Sequence, residues 1–263
     1  MPESEGTGAP RAIRIDVRTR FGRLQGNLAV PPAPMRLSEL AWNAMAFDER
    51  LVGMAVKAEA ALGREVSCKK GCGACCRQAV PLSPAEAWMI ADVVAAMPAE
   101  RKAAVLERFS DAHGRLQEAG FGDKVLRGAG EAEVNRIGID YFRLGIPCPF
   151  LEEDSCSIHP SRPSACREYL VSSPAENCSD PGGKEIRGIP TALSLTDALS
   201  RLSAMVMGGE PQAIPMTLAL EWATAHRDAG RERYDAAQLM GALFSLLGAP
   251  EGESASDGGS APA

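Results

Sequence analysis

"SCKKGCGACC", residues 67–76, sets Cys68, Cys72, Cys75 and Cys76 within nine positions, the last two adjacent. The chain has eight cysteines among 263 residues, so half of them lie in this one stretch. The other four follow as Cys148-x7-Cys156-x9-Cys166-x11-Cys178. Thiols so close are an oxidation hazard unless something holds them, and the candidates are disulfides, a redox-active pair or a metal. If the answer is metal, the two segments must meet, and the rest of the chain has to be built round their meeting point.

The chain starts with a polar, acidic stretch without the basic and apolar regions of a secretory leader. No apolar run reaches membrane-spanning length. The expectation is a cytoplasmic protein without membrane contact, where thiols stay reduced and clustered cysteines read as ligands. A net charge of −6 argues against a nucleic-acid partner held by bulk charge. The partners that remain are metal ions and an unidentified redox or protein partner.

Around the cysteines the pattern is helical. Leu37, Leu40, Ala44, Phe47, Leu51, Met54, Ala58 and Leu62 recur at three and four residues and predict one long helix ending at Gly63. Ser83-Pro84-Ala85-Glu86 is a capping box that opens a second. A third follows Pro98, with Val105, Phe109, Ala112 and Leu116 inward, and ends at Gly120. Later helices are expected over Leu195–Val206, Pro215–His226 and Tyr234–Leu247. Alternation at Ile13, Ile15 and Val17, then at Leu24, Leu28 and Val30, predicts a β-hairpin. Residues 144–190 lose all periodicity. The fold class is therefore mainly α: a single helical domain over 11–248 with a small N-terminal hairpin and an irregular metal-bound segment. Residues 1–10 read as a flexible lead and 249–263 as a disordered tail.

If the cysteine segments meet, the helices between them are an insertion folded outward. The step from Cys72 to Cys75 lets two thiolates face one ion or one cluster edge. Gly71 and Gly73 allow turns that aim amides at sulfur. Arg77, Arg162 and Arg167, with Lys69 and Lys70, would offset thiolate charge and lower the thiol pKa values. Two four-cysteine zinc sites would use every thiol. Side chains of the adjacent pair Cys75–Cys76 diverge, however, and serve one centre most easily when it has several metal atoms. That favours one or two iron–sulfur clusters, with zinc as the alternative. His159 stands between candidate ligands and reads as loop packing rather than a nitrogen ligand. Cys68, Cys72 and Cys75 also have the spacing of radical S-adenosylmethionine enzymes, but Ala74 replaces their usual aromatic and only helices follow.

"CKKGCGACC" followed by "CPFLEEDSCSIHPSRPSACREY" resembles the YkgJ-type cysteine-cluster family, the CxxCxxCC zinc- or iron-chelating domain, over about residues 65–180. The resemblance implies metal binding through Cys68, Cys72, Cys75, Cys76, Cys148, Cys156 and Cys166. Cys178 lies past the strongest part of the motif. A related cysteine-rich domain occurs in flagellin lysine-N-methylases, which makes group transfer a further functional alternative.

Overall fold

The fold was described from a computed structural model covering residues 11–121, 126–127 and 131–248. The lead at 1–10 and the tail at 249–263 lie outside these residues. The chain runs β1 (Ala12–Thr19), β2 (Gly22–Ala29), α1 (Leu37–Ala61), β3 (Pro81–Leu82), α2 (Pro84–Ala95), α3 (Ala99–Glu118), β4 (Leu126–Arg127) and α4 (Glu131–Arg143). It continues with β5 (Leu151–Glu152), β6 (Ser155–Cys156), α5 (Ser164–Glu168), α6 (Leu195–Met207), β7 (Gln212–Pro215), α7 (Ala219–Ala225) and α8 (Ala236–Gly248). The protein is mainly α, with only small sheets.

β1 and β2 pair antiparallel from Ala12 opposite Ala29 to Thr19 opposite Gly22. Ile15 and Val17 point into the core, where β1 packs on α8. The first half of α1 buries its predicted stripe at Leu37, Leu40, Ala44, Phe47 and Leu51. The second half departs from it: Ala55 and Glu59 are buried, while Leu62 is 63% exposed. A strict seven-residue repeat drifts by about 20° per heptad on a straight 3.6-residue helix. By the third heptad the buried line has therefore moved one residue on.

α2 is the centre of the molecule. Ser83 accepts the Glu86 amide, the Glu86 carboxylate takes the Ser83 amide, and Pro84 fills the first turn. Every residue from Pro84 to Ile90 is buried against α1, α6 and α7. This corrects the expectation that the helices between the cysteine segments fold outward: the first two turns of α2 are buried all round, and such a helix has to be interior. α3 does present one face, burying Val105, Phe109, Ala112 and Leu116.

Two features escaped the sequence pattern. α4 was not anticipated. The helix expected from Pro215 is preceded by β7, which pairs antiparallel with β3 on one side and β4 on the other. A 3-10 turn at Met216–Leu218 then leads into α7. Strands of two to four residues carry too few alternations to read as strands.

The irregular segment 144–190 is not held by thiols alone. Phe150 and Val171 have no exposed surface and Ile158 only 5%. Phe150 packs edge-on against Phe109 with ring centroids 5.4 Å apart. Apolar anchors therefore pin a stretch for which a metal had been the expected support.

Candidate metal centre

The two cysteine segments meet through their backbones. The Cys148 amide donates to the Cys76 carbonyl at 2.7 Å, and the Ser67 amide to the Val171 carbonyl at 2.9 Å. On the side-chain level, Gln78 Nε2 reaches the Cys178 carbonyl at 3.3 Å. Two glycines make the meeting possible in different ways. Gly71 turns the chain at φ +90°, which side chains rarely adopt. Gly73 gives room instead: a Cβ there would stand 2.5 Å from the Asp154 carbonyl oxygen and 2.7 Å from Leu151 Cδ1. What presses on Gly73 is the tight hairpin β5–β6, whose turn residues Glu153 and Asp154 both have positive φ. That conformation is the two-residue turn matching the twist of paired strands.

None of the eight cysteines is in a disulfide. Their thiols act on one another across the segments. Cys75 faces Cys76, and its charge acts on Cys68, Cys148, Cys156, Cys166 and Cys178. Cys72 joins through Cys68 and Cys178. Cys178 is buried; the other seven are half-buried.

Backbone amides face four sulfurs, that of Cys75 being met by its own amide. The Val171 amide lies 3.4 Å from Cys68 Sγ, and the amides of Phe150 and Ile158 face Cys148 and Cys156 from two residues further along the chain. Such donors favour the thiolate, the form that binds metal. Among the predicted cations, Arg162 is the one whose charge reaches the thiols, acting on Cys68, Cys75, Cys156 and Cys166. Arg77 pairs with Asp154 at 3.6 Å. Arg167 turns the other way, donating to the carbonyls of Arg162 (2.8 Å) and Pro160 (2.5 Å) and approaching Met45 Sδ at 3.7 Å.

The expected lowering of the thiol pKa values is not what the fold produces. Burial pushes Cys148 up to about 12 and Cys178 up to about 11, and Cys166 rises well above the ordinary thiol value. Cys75 is raised first by the Cys76 thiol and then by burial. Desolvation outweighs a single guanidinium. His159 sits on a 3-10 turn with its imidazole pKa lowered by burial and by Arg162, Lys70 and Arg167.

Several residues around the thiols were not singled out from the sequence. The Tyr169 hydroxyl faces Cys178 and Gln78. Glu86, 1% exposed, reaches past its own helix to take the Ser164 amide at 2.8 Å, which fixes the start of α5 and hence Cys166. Glu168 takes the Leu195 amide at 2.7 Å and so caps α6. Asp48 has no exposed surface, and neither of its carboxylate oxygens meets a donor. What faces it is the carboxyl of Glu168, and two carboxyls can hydrogen-bond only by sharing a proton. An acidic residue at 48, between Phe47 and Leu51 on an apolar helix face, was the readable signal for this pair.

Among the described residues, no three His, Cys, Asp or Glu side chains close around one ion-sized point. The sulfurs share a neighbourhood without all pointing at one centre. The donor set still fits a thiolate-bound metal: eight soft sulfurs, amides on four of them and a guanidinium acting on four. No helix among the described residues is long and apolar enough to cross a membrane. No curated protein and no solved structure matches the chain. The stretch that gathers the thiols, residues 67–183, matches the CxxCxxCC family model, described as a "putative zinc- or iron-chelating domain", and this likeness supports metal binding by that stretch.

Proposed function

We propose that the eight thiols hold one or two iron–sulfur clusters with a redox or catalytic role, in a cytoplasmic setting where thiols stay reduced. The observation that carries the reading is the position of Cys75. Its charge acts on thiols of both segments while it faces its chain neighbour Cys76, and a centre of several atoms can use both members of such a pair. A cluster would supply one-electron chemistry or an iron site. In this reading Cys68, Cys72, Cys75, Cys76, Cys148, Cys156 and Cys166 are ligands, with Cys178 at the edge. Arg162 offsets their charge, and Tyr169 and Gln78 orient Cys178. Arg77 and Arg167 hold the flanking turns. Anaerobic purification with iron, sulfide and zinc analysis tests the proposal; iron and sulfide in equal amounts support it.

The second reading is a chelating zinc or iron module without catalysis. The enclosure of Cys148, Cys166 and Cys178 by protein, visible in their raised pKa values, favours it, because a closed structural site needs no exposed edge.

A further inference from the structure

β2 stands at the edge of a two-stranded sheet. The Val30 amide donates to the Arg11 carbonyl at 2.8 Å, and pairing continues one for one from Ala12 opposite Ala29 to Thr19 opposite Gly22. Residues of an antiparallel ladder turn their backbone groups alternately to one neighbour and to the other, so the even-numbered residues of β2 bond to β1. Arg23, Gln25, Asn27 and Ala29 turn their N–H and C=O groups outward, where they meet no backbone partner among the described residues. All of them are exposed. Nothing blunts this edge: β2 has no proline, no lysine and no bulge, the usual devices against strand-to-strand association. Its one charge, Arg23, is taken up by Asp16 of β1, which also holds Gln25 at 3.0 Å.

We infer that this edge joins the same edge of a second copy of the chain, turning two hairpins into one antiparallel sheet about a two-fold axis. Pairing every outward residue places Gly26 opposite Gly26 of the second copy, on the axis. Arg23 then faces Ala29, Gln25 faces Asn27 and Leu24 faces Leu28, each twice by symmetry. Amide meets amide on the outer face, leucine meets leucine on the face packed against the core, and no like charges are opposed. The leucines form non-hydrogen-bonded pairs, where side chains come closest, and the space beside Gly26 is open. A shift of two residues in either direction sets Leu28 against a glycine, Gly22 or Gly26. A two-fold contact requires such self-matching and an unrelated peptide does not, which makes a second copy the occupant.

The test uses the full chain with its metal bound. Sedimentation from about 1 to 500 µM should show a weak monomer–dimer equilibrium, as a contact of this small size implies. Over the same range, hydrogen exchange should slow at the amides of Gln25, Asn27 and Ala29 as the dimer forms. Ala29 lies opposite Ala12 within the hairpin and opposite Arg23 only across the dimer. Ala29→Lys should therefore weaken the dimer about fivefold and Ala29→Glu tighten it about fivefold, through two equivalent cross-strand contacts. Circular dichroism and metal content check that both variants fold. A chain that stays monomeric over this range overturns the inference, whether its β2 amides exchange freely, with nothing on the edge, or slowly, with another segment of the same chain on it. So does a dimer on which both variants act alike, or whose β2 amides exchange as fast as those of the monomer.

Discussion

Asp48 and Gly73 carry the sharpest single-residue consequences. Burial, then the neighbouring Glu168 carboxyl, pushes Asp48 up to about 8, with Arg167 opposing. The folded chain thus keeps a proton that the unfolded chain releases near pH 4. Stability is greatest below that pH, falls as pH rises toward 8 and levels off above it. Asp48→Asn keeps the shape and removes Asp48's share of the decline, leaving that of Glu168, whose carboxyl burial pushes up to about 7. It should match the wild type at pH 4 and be more stable at pH 8 by roughly 3–5 kcal/mol, at about 1.4 kcal/mol per unit; thermal melts across that range check this, and parallel pH profiles for the two proteins contradict it. Gly73→Ala drives a Cβ into the Asp154 carbonyl and should cost about 1–3 kcal/mol as an overpacked contact. It should also lower bound metal, since that hairpin carries Cys156; Gly114→Ala, on an open helix face, should do neither. Among the thiols, Cys75→Ser should abolish metal binding, whereas Cys178→Ser should leave most of it. Equal losses would mean that all eight thiols form one closed cage.

At the scale of elements, the joint between α2 and α5 sets the geometry of the centre. Glu86 is both the third residue of a capping box and the acceptor for the Ser164 amide. Glu86→Ala should cost about 1–3 kcal/mol, because buried donors lose their acceptor, and it should loosen Cys166. Metal analysis and urea unfolding of the variant check both effects. The capping box was plain in the sequence, from Ser83, Pro84 and Glu86, because caps are local chemistry. The second duty of Glu86 was not, since Ser164 lies 78 residues away and no local pattern marks it. The same division holds elsewhere. The hairpin at β1–β2, the helix α3 and the confinement of the thiols to two segments were legible from periodicity and spacing. β7 was hidden by its shortness, and the meeting of Cys76 with Cys148 rests on long-range backbone pairing. The anchoring of 144–190 was missed because Phe150 and Ile158 are isolated apolar residues without a period. Chelation should therefore expose the turns at 159–161 and 175–179 to protease, while the Phe150 end of the segment stays protected.

For the whole molecule, the larger of two apolar clusters among the described residues runs from Ile15 on β1 to Leu247 on α8 and includes Phe150 and Ile158 of the cysteine segment, with Cys148 and Cys156 packed on its edge. The thiol cluster is thus built onto the core and not hung from it. Loss of metal should leave the helices folded, in contrast to a small zinc finger, whose fold depends outright on its ion. We propose that this cluster holds iron and sulfide. This is tested most directly by purifying the chain without oxygen and measuring iron, acid-labile sulfide, zinc and the visible spectrum together. A coloured protein with equal iron and sulfide, about four of each per cluster, is the predicted result; a colourless protein with stoichiometric zinc and no sulfide would contradict it.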